Sequence, residues 1–341
     1  MSQFRNLVFE GGGVKGIGYV GALKVLEARG ILNDITRIGG TSAGAINAVL
    51  LACGYTGAEQ LKILRKLEFR SFLDDSWGVL RDADRLVNEF GWYKGDFFRD
   101  WIAGLIRKKI GSGDATFRQL HAKTGKQLFL VGANLSTGFA EVFSYERTPD
   151  DRVVDAVRIS MSLPLFFASV RNARRDVYVD GGLMNNYPVK LFDRERYVES
   201  QAAARRTNYY DRENKRFLTG ANKDRSPYVY NKETLGFRLD SAREIGVFRY
   251  GDVPQHTRID DFFDYAKALF GSLMSVQEGM HLHSDDWQRT VYIDTLGVGT
   301  IDFGIDEATR DKLVASGEKC AEDYFRWFDS ATGDEAPVNR L

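Results

Sequence analysis

Three short runs in this sequence carry residue types that could share one reaction. In Gly40-Thr41-Ser42-Ala43-Gly44 a serine stands between two glycines. This G-x-S-x-G spacing lets a chain turn sharply from strand into helix and leave the hydroxyl projecting. In Glu10 to Gly16 three consecutive glycines, Gly11, Gly12 and Gly13, precede Val14, Lys15 and Gly16 at the start of a helix. Backbone N–H groups can converge there on one point at a positive helix end. That point suits an anion: a phosphate, with Lys15 and Gly16 contributing, or an oxyanion that exists only during a reaction. In Asp180-Gly181-Gly182 a carboxylate ends an apolar run and meets a two-glycine turn. It could act as base toward a serine at the same sheet edge.

Each run also has a purely structural reading: a tight turn, a serine N-cap, an Asp-Gly turn. Other chemistries are open to the same residues. The Gly11 to Gly16 loop matches a dinucleotide fingerprint, but such a site also needs an acidic residue after the next strand. Here that strand ends in Gly39-Gly40-Thr41-Ser42, and Asp34 precedes it. No Gly-Lys-Ser/Thr follows for a P-loop either, so a phosphate- or nucleotide-binding module keeps only the loop itself. A conventional esterase would run Ser, Asp, His along the chain. His256, His281 and His283 follow Asp180, but none stands at a convincing strand end. His281 and His283 beside Asp285 and Asp286 also have the composition of a metal site, although histidines in a polar loop are usually solvated.

The elements that must position these runs alternate. Asn6 to Glu10 reads as a short strand. A helix with Ile17, Val20, Leu23 and Leu26 on one face follows, with Gly30 as its C-terminal cap. Ile35 to Gly39 is a second strand, and Ala43 to Cys53 a buried helix stopped by Gly54. Thr56 and Glu59 have capping-box spacing. Leu128 to Asn134 and Gly138 to Ser144 read as strands, Thr148-Pro149 as the start of a helix through Val157, and Asp176 to Val179 as a strand delivering Asp180. Ile259 to Met280 is an amphipathic helix with Phe262, Ala266, Leu269, Leu273, Val276 and Met280 on the side expected to be core. Arg289 to Asp294 is a strand and Asp306 to Phe328 a closing helix. Strand-helix alternation implies an α/β fold with a mostly parallel sheet and helices on its faces.

Two stretches stand apart. Residues 66–115, with Trp77, Trp92, Trp101 and Phe97-Phe98 among charges, read as a helical insertion or cap. Residues 194–232 carry ten Lys or Arg against five Asp or Glu, together with five tyrosines. They read as a mobile basic insertion, a lid over the site or a surface for anionic headgroups. Residues 331–341 are a tail.

Composition narrows the partners. The 47 basic and 47 acidic residues cancel, so bulk attraction to nucleic acid is not built in and none is expected as a partner. Two cysteines, Cys53 and Cys320, make neither a disulfide framework nor a zinc site. No stretch reads as a signal peptide or membrane span. A cytoplasmic protein touching membranes only from the surface is expected, with export by a route lacking a cleavable signal left open.

At the three runs the sequence resembles the patatin-like phospholipase family. Glu10 to Gly16 is similar to its glycine-rich oxyanion loop, Gly40 to Gly44 to its nucleophile motif, and Asp180-Gly181-Gly182 to its catalytic aspartate motif. Ala156 to Pro164 and Asn185 to Pro188 add to the likeness, which runs from about residue 5 to 330 as a single domain and is weakest across 66–115 and 194–232. The resemblance implies a three-layer α/β/α fold and a lipid acyl hydrolase of phospholipase A or lysophospholipase type. Ser42 would form an acyl-enzyme, Asp180 would act as its base, and the Gly11, Gly12 and Gly13 amides would hold the oxyanion. Lys15 stands where the family often has arginine, keeping the charge without the planar fork. The implied substrate is a phospholipid or other acyl ester, with no metal or cofactor required. An activator is left open, as is a catalytically silent relative acting as a scaffold.

Overall fold

Five short apolar runs lie side by side and parallel. The strands are Asn6–Phe9, Arg37–Thr41, Gln127–Asn134, Thr234–Asp240 and Thr290–Asp294. Their spatial order is 290–294, 234–240, 6–9, 37–41, 127–134. Phe139–Ser144 returns antiparallel beside the last of these, and Val177–Asp180 and Val170–Arg171 extend the sheet, also antiparallel. This computed structural model describes residues 3–73, 85–241, 247, 252–253, 256, 258–282 and 285–330. Trp77, His283 and the 331–341 tail lie outside the described residues.

The period-2 alternation of the strands sorts their side chains between two faces. Leu7, Phe9, Leu235, Phe237, Val291 and Ile293 join the large core. The helices Gly18–Ala28, Ala43–Ala52, Val153–Ser160 and Glu307–Ser330 pack into that same core. Val8 and Phe129 point the other way, against Phe192 and Tyr197. That face is closed by the 3-10 turns Val189–Phe192 and Glu195–Tyr197 rather than by long helices. The mostly parallel sheet with helices expected from the sequence is present. The capping box is also present: Thr56 Oγ1 accepts the Glu59 N–H, and the Glu59 carboxylate accepts the Thr56 N–H.

Several readings are corrected. Thr234–Asp240 is a central strand that the sequence reading leaves unassigned. Its interruption is Arg238, wholly buried and paired with Asp240 and Glu10. The Val153–Ser160 helix starts at an Arg152 cap, so Thr148-Pro149 lies in the preceding turn. Within 66–115, the Asp96–Ile110 helix buries Phe98, Ile102, Leu105 and Ile106 in the main core and is part of the helical layer, not a cap.

The 194–232 segment is anchored at the end of the strands opposite Ser42. Arg37, the first residue of its strand, donates to the Tyr197 carbonyl, and the Glu199 and Ser200 amides donate to Glu233, just before Thr234. Arg289, which precedes Thr290, holds Asp193 with two bonds of 2.6 and 2.7 Å, and Asp286 as well. Tyr210 donates to the same Asp193 carboxylate. Removing one member of so buried a cluster would leave a charge uncompensated. Five strand residues, about 17 Å, separate this attachment from the Ser42 end.

The Phe262–Leu282 helix also differs from expectation. Ala266 and Phe270 are buried, but Phe262, Tyr265, Leu269 and Leu273 are 37% to 53% exposed. The part of the stripe formed by Phe262, Tyr265, Leu269 and Leu273 is a surface. Among the described residues no helix is long and apolar enough to cross a membrane.

Candidate active site

Ser42 stands where the Arg37–Thr41 strand turns into the Ala43–Ala52 helix, with φ 53° and ψ −127°, outside the regions ordinary side chains favour. The flanking glycines make this turn sterically feasible. A Cβ on Gly40 would lie 2.4 Å from the Gly44 carbonyl oxygen, and one on Gly44 would lie 2.4 Å from that of Phe9. Gly40 and Gly44 therefore serve close backbone approach at a strand-helix elbow. The Ser42 N–H donates to Ser160 Oγ at 2.9 Å, and Ser160 donates in turn to the Val131 carbonyl at 2.6 Å. The Ser42 hydroxyl lies 3.9 Å from Met161 Sδ.

Asp180 reaches the same place from the opposite direction. Thr41 stands opposite Val131 on the central strand, and Asp180 stands opposite the next residue, Gly132. The carboxylate is fully buried. Its Oδ1 accepts the Gly182 N–H at 2.7 Å, while Oδ2 has no hydrogen-bond partner among the described residues. Burial pushes its pKa up to about 7, opposed by the Ser42 hydroxyl and the Gly182 N–H, which favour the ionised form. A carboxylate poised near neutral pH beside a serine hydroxyl has the proton affinity a general base needs.

The glycine loop abuts both groups. A Cβ on Gly11 would come within 2.9 Å of Ser42 Cβ and 2.3 Å of Asn186 Oδ1, so only glycine fits there. The Gly11 N–H, however, donates to the Asn186 carbonyl at 3.1 Å, and Asn186 Nδ2 donates back to the Gly11 carbonyl at 3.2 Å. Gly11 is thus a clamped hinge, and its amide is not available to an oxyanion as the sequence suggested. The amides of Gly12 and Gly13 have no acceptor among the described residues. Gly13 has φ +56°, and the following Val14 N–H donates to Thr300. Lys15 is buried, its stem beside Gly12, and no ion pair involves it among the described residues. Gly16 has a packing role: a Cβ there would meet Ala43 Cβ at 3.0 Å, and its carbonyl accepts from Asn47. The loop's first residue is held from behind, because Glu10 Oε2 accepts the Leu239 N–H at 2.8 Å and the Glu10 carbonyl accepts from Tyr19.

Beside the loop and Met161 lies an apolar cavity lined by Val14, Ile46, Phe72, Phe98, Met161 and Leu163. Arg158 contributes to its wall, donating to Ser162 Oγ at 2.5 Å and to the Ala168 carbonyl at 3.0 Å.

Neither His121 nor His256 is brought to this place. His256 is exposed. His121, shortly before the central strand, contacts the Lys126 carbonyl and Tyr145. The acids near His281 in sequence are taken up elsewhere, Asp285 by Arg205 and Asp286 by Arg289. Among the described residues no group of three or more His, Cys, Asp or Glu could hold a metal ion.

A family model described as patatin-like phospholipase matches residues 7–193, more than half the chain and all of the elements just described up to Asp193. The chain belongs to the patatin-like phospholipase family. Its relatives include the uncharacterized protein YqhO of Bacillus subtilis, 36% identical over 202 residues that cover 55% of this chain and 67% of YqhO. The probable lipid hydrolase 463L of Invertebrate iridescent virus 6 is 30% identical over 188 residues, covering 55% of this chain and 63% of that protein. The crystal structure of VipD from Legionella pneumophila has the same fold, with TM-score 0.56 at 18% identity over 95% of this chain and 67% of VipD. The patatin-like match ends at Asp193, where the basic segment begins.

Sequence reasoning missed three side chains that hold this patatin-like site: Ser160, Asn186 and Gln277. Ser160 and Asn186 lie inside runs that carried the family likeness, but neither has a spacing that announces its partner. Gln277 sits on the amphipathic helix, where an isolated amide gives no signal.

Proposed function

We propose that the protein is a serine acyl hydrolase that cleaves a fatty acyl ester of a phospholipid or lysophospholipid. The observation that carries this reading is the elbow serine beside a buried carboxylate whose Oδ2 has no other partner. Ser42 Oγ attacks the ester carbonyl carbon as its proton passes to Asp180. The negative charge on the carbonyl oxygen is received by the Gly12 and Gly13 amides. The bond to the alcohol breaks, Asp180 returns its proton to the departing oxygen, and Ser42 is left acylated. Water then adds to the acyl carbon with Asp180 again taking the proton, the bond to Ser42 Oγ breaks as Asp180 returns that proton to it, and the fatty acid leaves with the free serine restored. The apolar cavity beside Met161 suits the acyl chain, and the Lys15 ammonium suits an anionic headgroup or the oxyanion itself.

Membrane contact is assigned to the exposed stripe Phe262, Tyr265, Leu269 and Leu273 in place of the basic segment. That stripe lies on the helix whose Gln277 bonds the turn after Asp180, which supports a membrane contact coupled to the site.

The test is hydrolysis of a fluorogenic long-chain phospholipid and a short-chain ester by wild type, Ser42→Ala and Asp180→Asn. Loss in both variants with folding intact is expected. Activity retained by Ser42→Ala on both substrates overturns the reading.

A further inference from the structure

On the Phe262–Leu282 helix the Gln277 side chain bonds the turn that follows Asp180. Gln277 Nε2 donates to the carbonyls of Gly182 and Leu183, at 2.9 and 3.0 Å, and its Oε1 accepts the Asn186 N–H at 3.0 Å. One amide therefore holds both ends of the short Gly182–Asn185 helix and its cap. The first is the turn that follows Asp180, whose Gly182 N–H binds the carboxylate. The second is Asn186, which holds Gly11 by both backbone groups and so sets the glycine loop against Ser42.

We propose that Gln277 is a positioning residue, coupling the Phe262–Leu282 helix to the Asp180 turn and, through Asn186, to the oxyanion loop; this rests on the hydrolase reading above. The chemistry requires an amide. Both N–H bonds face carbonyl oxygens while the oxygen faces an N–H, an arrangement only glutamine or asparagine offers, and asparagine is one methylene too short to span it. Leucine would leave two carbonyls and one amide without partners. Glutamate, equal in shape, would turn a carboxylate toward the Gly182 and Leu183 oxygens and bring a negative charge close to Asp180, which raises the proton affinity of that carboxyl further. No charge or spacing of Ser42 itself changes in either variant, so the effect is on orientation and on the base.

The experiment compares wild type, Gln277→Leu and Gln277→Glu in three readouts. Steady-state kinetics on a short-chain soluble ester should show kcat lowered about 10- to 100-fold with KM within about twofold, the pattern of a misplaced reacting geometry. For Gln277→Glu the rising limb of the pH profile should move to higher pH, and activity relative to wild type should improve as the glutamate protonates in acid, since the acid form regains a donor. Amide hydrogen exchange, which does not depend on catalysis, should speed up at Asn186 and Gly11 in Gln277→Leu. A variant that loses only thermal stability, with kcat per folded molecule, pH profile and exchange at Gly11 unchanged, overturns the proposal. Faster exchange with unchanged kcat overturns it too. A wild type whose Ser42 reacts neither with the ester nor with a fluorophosphonate fails at the hydrolase reading, and then exchange alone reports whether Gln277 holds the loop.

Discussion

Ser160 Oγ accepts the backbone N–H of Ser42 at 2.9 Å, so the nucleophile's own amide is held by a side chain from the Val153–Ser160 helix. Because the same hydroxyl donates to Val131 on the central strand, it ties the elbow, the helix and the sheet together at one buried oxygen. Ser160→Ala would leave a buried donor and a buried acceptor without partners. A loss of about 1–3 kcal/mol is expected, read as a lower urea midpoint with an unchanged slope. Activity per folded molecule should fall as well, since the elbow's strained serine would lose its tether.

The titration of Asp180 should appear in both rate and stability. Its pKa is raised to about 7 in the folded protein from an ordinary value of 3.8. The folded state therefore binds this proton more tightly than the unfolded chain. That contribution to stability is complete below about pH 4 and is lost as pH rises through about 7. The base form is the active one, so kcat/KM on a short-chain ester should rise through an apparent pKa near 7. Asp180→Asn should be inactive, and its stability relative to wild type should grow between pH 5 and 8, by at most about 1.4 kcal/mol per pH unit. A wild-type stability that is flat across this range would contradict the assignment.

Two glycines separate close approach from mere flexibility. At Gly44 a methyl group would lie 2.4 Å from the Phe9 carbonyl oxygen, whereas at Gly104, within the Asp96–Ile110 helix, it would meet nothing within 4 Å. Gly44→Ala should destabilise the protein and abolish activity by displacing the elbow. Gly104→Ala should stabilise it by about 0.5–1 kcal/mol, the helix-propensity difference, with activity unchanged. Thermal unfolding of the two variants checks both signs.

The exposed helix stripe should matter for membranes and not for chemistry. Leu269→Asp with Leu273→Asp places two charges on residues that are each 42% exposed. Binding to phospholipid vesicles should fall by an order of magnitude or more. kcat on a water-soluble short-chain ester should stay within about twofold. Equal vesicle binding by the double variant and wild type would remove this surface from the membrane reading.

The local elements of the site were legible because their signals are short-range. Gly40 to Gly44 and the Thr56–Glu59 cap act within a few residues, and the strand-helix alternation around them marks the parallel sheet. Thr234–Asp240 was not legible because a buried Arg238 breaks its apolar alternation, and its acceptability depends on Glu10 and Asp240, which only the fold brings near. The Asp96–Ile110 helix was obscured by surrounding charges, although its Phe98, Ile102 and Ile106 have core spacing. The 194–232 charges suggested a mobile cover, but the residues that fix it, Tyr197, Tyr210 and Asp193, find their partners far away in sequence. The occupied amide of Gly11 was invisible for the same reason, since its acceptor is the carbonyl of Asn186.

The end-to-end meeting of two strands along Gln127–Asn134 has a consequence for how this architecture tolerates change. Thr41 and Asp180 face consecutive residues, Val131 and Gly132, so the gap between serine and acid is ruled off by a single peptide unit of a third strand. Of the long stretch of chain between them, the Gln127–Asn134 strand sets that measurement and Ser160 ties the elbow to it. Segments outside the Gln127–Asn134 strand, the Val153–Ser160 helix and the strand that delivers Asp180 could be lengthened, shortened or replaced, and the ruler would still read the same. Descendants of such a scaffold are free to rebuild their substrate-facing walls while inheriting the reactive pair unaltered.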